Sequence, residues 1–327
     1  MVRIGILGTA RIAGAFTGRR YRNATLAAVA SRSPERARAF AAEHGIPRAP
    51  GSYEELLADP SVDAVYVPLP QHLHCEWVVR AAEAGKHVLV EKPAALTSAE
   101  VAVMAAACER NRVAYMEAFM YRFMSVHRRS RELAAGGAVG ELRGVDFRWC
   151  IDTGPRGVSK EGFRMHRELG GGGLLDLGVY GMDFLRLVTG GRPELLWATV
   201  RRRDGDGIDE FALGVYRWNE AVLTMGCGFA GDANYYAIAG DGGSILSPMA
   251  VAGRQTPREL HIHLFEGDRK WVETFPAENP YVAELEYFAD CIMNGTRPSP
   301  GPEDSLANLQ MIEELLRAAE PGAPPAR

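Results

Sequence analysis

The tripeptide Glu91-Lys92-Pro93 closes a strand-like run at 87–91. Only four of the 37 basic residues are Lys (86, 92, 160 and 270), so Lys92 stands out in a chain that otherwise uses Arg. Arg stays charged and forks onto planar acceptors, whereas Lys offers a compact charge that its surroundings can tune. A second group lies at Asp176 and Tyr180, four residues apart, just after the four consecutive glycines 170–173. On an α-helix that spacing puts both side chains on one face. An ammonium near a phenol favours the phenolate, and such a Tyr exchanges a proton with a hydroxyl oxygen while a hydride moves. Each group also has a plain structural reading. Glu91 and Lys92 can be a surface ion pair, and Tyr180 can pack while Asp176 caps the helix or pairs with Arg.

The surrounding elements divide the chain in two. Strand-like runs at 2–7, 25–30, 63–67, 87–91 and 112–117 alternate with helical stretches at 10–20, 34–44, 53–58, 72–84 and 97–110. Ser33-Pro34 and Thr97-Ser98-Ala99-Glu100 carry helix-start chemistry. Runs such as Ala64-Val65-Tyr66-Val67 are apolar on both sides of the pleat, which predicts a parallel sheet covered by helices on both faces. Lys92 then sits at the carboxyl edge, where such sheets bind ligands. From about 141 strand-like runs follow one another with few helices between them: 141–151, 194–203, 209–218, 221–229, 234–240, 259–265 and 270–275. Asp204-Gly205 and Asn219-Glu220 are turn candidates. A largely antiparallel sheet is predicted, with helices at 174–189, 281–294 and 303–319 and a frayed tail at 321–327. The domains are read as 1–120 and 121–327, the last helix being free to pack back on the first.

The first turn, Gly8-Thr9-Ala10-Arg11-Ile12-Ala13, occupies the place of G-x-G-x-x-G/A but keeps only the first glycine. A tight turn of small residues leading into a helix N-terminus suits a pyrophosphate. The second strand ends Ala30-Ser31-Arg32-Ser33, without the carboxylate that would hold a ribose diol. Ser31, Arg32, Ser33 and, one turn on, Arg36 can instead surround a 2′-phosphate. NADP(H) is therefore preferred over NAD(H).

Composition removes other classes. The chain has 327 residues, 47% hydrophobic and 24% charged, with a net charge of −4. A weakly acidic chain argues against nucleic acid or an anionic membrane as partner. No apolar run is long enough to span a bilayer, and no signal peptide is read. Five scattered Cys without a C-x-x-C suit a reducing, cytoplasmic setting rather than a disulfide framework. His72-x-His74 beside Cys75 mimics a metal cluster but lacks a carboxylate at ligand spacing, so no metal is expected. Asp204 to Asp209 is read as a hairpin tip rather than a calcium loop. Arg201-Arg202-Arg203 is a solvated strand end, and the Trp residues 149, 197, 218 and 271 belong to sheet core or subunit contacts.

These pieces, in order, resemble the Gfo/Idh/MocA oxidoreductases. The matching segments are Ile4 to Ala10, Ala30 to Ser33, Val65 to Pro70, Ala84 to Pro93, Met116-Glu117-Ala118-Phe119-Met120-Tyr121-Arg122 and Gly171 to Tyr180. The last two resemble the branch containing dimeric dihydrodiol dehydrogenase, NADP-dependent xylose dehydrogenase and glucose–fructose oxidoreductase. The resemblance implies an α/β chain: an N-terminal Rossmann, doubly wound parallel sheet, then a C-terminal α/β domain on a large, mostly antiparallel open sheet. That second sheet commonly builds a dimer or tetramer. Lys92 is implied near the nicotinamide, Tyr180 as general acid/base, and Asp176 as the group that places the substrate. Expected cofactor contacts are Gly8, Thr9, Ala10, Arg11, Ile12, Ser31, Arg32, Arg36, Pro68, Leu69, His74, Glu91, Lys92 and Arg122. Expected substrate contacts are Lys92, Arg164, His166, Asp176 and Tyr180. Gln71, His72 and His166 depart from the branch pattern close to the expected substrate pocket. The implied substrate is a sugar or cyclic diol. A redox-neutral, NAD-dependent glycosidase and a non-catalytic cofactor-binding regulator remain open alternatives.

Overall fold

The computed structural model describes residues 1–152, 163–205, 207–229, 231–249, 251, 259–320 and 322. Asp206 of the hairpin tip and nearly all of the tail read as frayed lie outside the described residues. The chain forms two compact units, Met1–Met120 with Asn279–Leu306, and Tyr121–Glu278 with Ala307–Arg327.

In the first unit β1 (Val2–Leu7), β2 (Ala24–Ala30), β3 (Ala64–Val67), β4 (His87–Glu91) and β5 (Tyr115–Ala118) form a parallel sheet in the order β2-β1-β3-β4-β5. The helices are α1 (Pro34–His44), α2 (Tyr53–Ala58), α3 (His74–Glu83) and α4 (Ser98–Arg110). All four residues of β3 are buried, the pattern of a strand covered on both faces. Ser33 Oγ accepts from the Arg36 N–H at the start of α1, and Thr97 with Glu100 forms a full capping box on α4. The helix predicted at 10–20 is instead a short 3-10 turn, Arg11–Ala15. Gly14 and Gly18 each cost about 1 kcal/mol in a helix, Gly18 takes φ +65°, and no side chain caps Ala10.

The second unit opens with α5 (Ser125–Ala135), which the sequence reading missed, and β6 (Leu142–Cys150). A π-helical turn, Leu174–Gly178, runs into α6 (Val179–Thr189). The strands that follow are β7 (Glu194–Arg202), β8 (Asp209–Trp218), β9 (Ala221–Gly228), β10 (Ala233–Gly240), β11 (Ser244–Ser247), β12 (Leu260–Glu266) and β13 (Arg269–Phe275). They join β6 in the order β13-β12-β11-β10-β6-β9-β8-β7. Within this sheet only β6 and β9 pair in parallel among the described strands. The four-residue β11, between Gly242-Gly243 and Pro248, is too short to show an alternation.

Two helices close the chain, α7 (Pro280–Asn294) and α8 (Pro302–Ala318). Helix α7 belongs to the first unit, where Asn23 Nδ2 donates to the Glu286 carbonyl and to Asp290. Among the described residues no helix is long and apolar enough to cross a membrane.

Candidate active site

In the first unit the sheet reverses its winding between β1 and β3, and the loops leaving those strands meet. Gly8 takes φ +118°, and a Cβ there would lie 3.0 Å from Leu69 Cδ2 and 3.8 Å from the Tyr53 hydroxyl. Only glycine fits that conformation without strain, and the bare backbone it leaves is what a pyrophosphate needs. The helix N-terminus expected beneath it is absent, because the 3-10 turn is too short to carry a dipole. Backbone N–H groups of Thr9 to Ile12 therefore remain the fitting donors. Thr9, Ala10 and Ile12 are half-buried, and Arg11 is exposed. At the end of β2, Ser31 is buried and accepts from the Ser33 N–H at 3.4 Å. Arg32 and Arg36 are exposed. Ser33, expected to face a phosphate, spends its hydroxyl as the α1 cap and donates to Glu35 at 2.9 Å.

The later strand ends are tied together by His74. Its Nε2 faces the Leu69 carbonyl at 2.8 Å, and Nδ1 faces the carbonyls of Pro93 and Ala94 at 3.1 and 3.2 Å. Burial pushes the imidazole down to about 4, so at neutral pH the ring is neutral and its single N–H donates to one of these two sides. His74, expected as a cofactor contact, is buried, with its ring between the loop after β3 and the loop after β4. Pro68 is buried and Leu69 half-buried. Glu91 accepts the Tyr66 hydroxyl on Oε1 and the Lys92 N–H on Oε2 at 3.3 Å. Ala94 N–H donates to Glu117 at 2.9 Å. Half-buried Lys92 thus leaves a backbone held on both sides.

In the second unit Asp176 and Tyr180 are 5% and 4% exposed. The α-helix expected there begins instead as a π-turn, in which residues four apart still lie close to one side. Such turns often mark functional positions. This one is pinned from another strand: Asp209 Oδ2 accepts the Leu174 N–H at 2.6 Å. Burial pushes the Asp209 carboxyl up to about 6. A Cβ on Gly172, at φ +119°, would sit 1.9 Å from Asp209 Oδ1, so that part of the glycine run is a steric requirement. At the last residue of the turn and three residues on, Cβ atoms on Gly178 and Gly181 would meet Cys227 Sγ at 2.8 Å and Met225 Cγ at 2.3 Å. Two bare positions therefore let the segment bearing Tyr180 press onto β9.

The Tyr180 ring packs edge-on against Trp149, centroids 4.9 Å apart, and Tyr121, 5.6 Å apart. Asp176 accepts Arg164 Nε at 2.6 Å, so Arg164 stands beside the proposed substrate-placing acid. His166 is exposed and faces Glu168 at 3.2 Å. Arg122, expected as a cofactor contact, is anchored to Asp183. Its side chain is 7% exposed and grips Asp183 through Nε at 2.8 Å. Tyr121 Oη at 2.6 Å and Asn308 Nδ2 at 3.1 Å complete the set around Asp183, which is fully buried. This hub holds Tyr121 in place against Tyr180. Asp183, Trp149 and Asp209 were missed by sequence reasoning. The one available signal was Asp183 itself, since an acid in the apolar run 179–188 must be paired.

Comparison with known proteins agrees with this architecture. Residues 2–119 match the family model described as an oxidoreductase family with NAD-binding Rossmann fold, and residues 127–246 match the GFO/IDH/MocA C-terminal domain. D-xylose 1-dehydrogenase (NADP(+)) 2 of Haloferax volcanii is 36% identical, covering 98% of each chain. Trans-1,2-dihydrobenzene-1,2-diol dehydrogenase of Xenopus laevis is 34% identical over 89% of this chain and 88% of its own. A 3-ketoreductase from Actinomadura kijaniata, solved with NADP and TDP-benzene, superposes with a TM-score of 0.86 at 28% identity over 97% of each chain.

Proposed function

Since this chain belongs to the Gfo/Idh/MocA oxidoreductase family, we propose that it is an NADP(H)-dependent enzyme acting on a carbinol or carbonyl carbon of a sugar or cyclic diol. The observation that carries this reading is the buried phenol of Tyr180, wedged between Trp149 and Tyr121 on a π-turn that also holds Asp176. The dinucleotide would lie on Gly8 to Ile12, Ser31, Arg32, Arg36, Pro68 and Leu69, and when bound it supplies or accepts the hydride. In oxidation Tyr180 takes the hydroxyl proton; in reduction it returns it. The Lys92 ammonium favours the phenolate and polarises the substrate oxygen. Asp176, with Arg164, orients neighbouring hydroxyls, and exposed His166 bears on substrate choice. Glu91 sets the backbone of Lys92, while His74 and Arg122 support the site through the loops and Asp183 they hold.

The test is a panel of aldoses, polyols and dihydrodiols with NADP⁺ and NAD⁺, followed by nicotinamide absorbance. Sugar or diol oxidation faster with NADP⁺ is the expected outcome; no turnover across the panel would overturn the assignment. Arg32→Ala should weaken NADPH binding about 10- to 100-fold, the worth of a charge-assisted contact, and NADH far less. Equal losses for both would remove Arg32 from the 2′-phosphate site.

A homo-oligomer formed through the second sheet belongs to the same proposal. The inner face of that sheet is covered where Phe147 and Met225 meet α6. On the opposite face the register aligns Val272, His263, Leu246, Ala237, Asp146, Thr224, Val215 and Trp197 in one row across all eight strands. Trp197, Val222 and Val272 are exposed on it, more large apolar surface than a lone sheet normally leaves wet. Sedimentation should give a dimer or tetramer, and Trp197→Asp with Val222→Asp should reduce it to the 35.6 kDa chain. A wild-type chain sedimenting alone would refute the surface. A cytoplasmic site accords with five unpaired cysteines.

A further inference from the structure

Helix α7 carries Glu284 into the interior of the first unit, where it is 0% exposed and neither carboxyl oxygen has a hydrogen-bond partner. The titratable groups coupled to it are Glu91 at the end of β4, Tyr66 on β3 and Tyr21 before β2, and Tyr281 lies one turn before it on α7. None of them is a cation. The Phe16 ring lies 4.5 Å from that of Tyr66 and 5.4 Å from that of Tyr281, which makes the surroundings apolar. Two carboxyls in such a place do not both ionise. Glu91 already accepts from the Tyr66 hydroxyl and the Lys92 N–H, bonds that favour its charged form. Glu284 accepts none, so the proton resides there.

We propose that Glu284 is a positioning residue for the Glu91-Lys92 turn, a neutral carboxylic acid that limits the site to the single negative charge on Glu91. When Glu284 gives its proton to solvent, a second negative charge faces Glu91 and loosens the carboxylate that fixes the Lys92 backbone. Burial and the Glu91 charge both hold Glu284 well above the usual carboxylate range. A buried acid without a partner weakens the fold as pH rises, so its presence here points to a role at the turn. The catalytic part of this inference rests on the reading of Lys92 given above.

Three measurements on the full chain test it. The unfolding constant of the wild type should rise relative to Glu284→Gln by about tenfold per pH unit above the ordinary carboxyl range. A difference that stays constant with pH would mean a carboxyl titrating normally and would overturn the proposal. Infrared spectra near about pH 8, where ordinary carboxyls are ionised, should show a protonated-carboxyl band in the wild type; its absence would overturn the proposal even if the variants failed to fold. Glu284→Ala should lower kcat about tenfold with KM little changed, and Glu284→Gln should restore most of it at neutral pH. Wild-type kcat in Glu284→Ala would overturn the positioning role. The pH slope and the infrared band do not depend on turnover. Failure of the Lys92 reading would show as unaffected turnover in Lys92 variants, with both signals intact.

Discussion

Tyr180→Phe should lower turnover by about 10²-fold or more, the usual worth of a positioned proton-transfer group, while NADP(H) binding changes little. The substitution isolates one atom. Phe keeps the aromatic ring, so the edge-on contacts with Trp149 and Tyr121 survive. The π-turn survives as well, because it is pinned by Asp209 on the Leu174 N–H and by the glycines packed on β9. What is lost is the hydroxyl proposed to take or return the substrate proton. The loss should fall on kcat and kcat/KM alike, the signature of an interaction made in the transition state. Stopped-flow cofactor binding and steady-state turnover on the same preparation check it. Near-normal turnover with Phe would remove Tyr180 from the mechanism.

The structure follows the sequence pattern where the signal is local. Ala64 to Val67 are apolar on both faces and form a covered parallel strand; Ser33 and Thr97 start helices with the bonds their chemistry predicts. The first helix failed because periodicity ignores what Gly14 and Gly18 cost. Helix α5 escaped notice because its buried stripe includes His127 and Ser130, which an apolar pattern does not count. The site divides in the same way. Lys92, Asp176 and Tyr180 stand out by type and spacing, and their supports do not. Asp209 looks like part of an exposed hairpin, yet its carboxyl reaches a backbone N–H 35 residues away. Asp183 draws Tyr121, Arg122 and Asn308 from distant segments. Such pairings exist only after the chain has folded, and so do the anchors of Arg122 on Asp183 and of His74 between two loops.

Lys92→Met should cut neutral-pH turnover by about tenfold or more and displace the pH profile. The sign follows from charge: an ammonium near a phenol favours the phenolate, so removing it raises the pH at which Tyr180 loses its proton. In the oxidative direction, where Tyr180 must accept a proton, the limb that climbs toward alkaline pH moves upward. Met suits the test because it keeps the length and apolar stem of Lys. The neighbouring backbone should persist, since Met keeps the N–H that donates to Glu91 and leaves the Tyr66 hydroxyl bond to Glu91 untouched. Lys92→Arg separates charge from geometry. If charge alone matters, Arg holds the limb in place; if a compact ammonium is needed to polarise the substrate oxygen, Arg restores the limb but not kcat. Profiles of kcat against pH for the three proteins, with one substrate and saturating NADP⁺, distinguish these outcomes. A limb unmoved in Lys92→Met would mean that Lys92 does not tune the phenol.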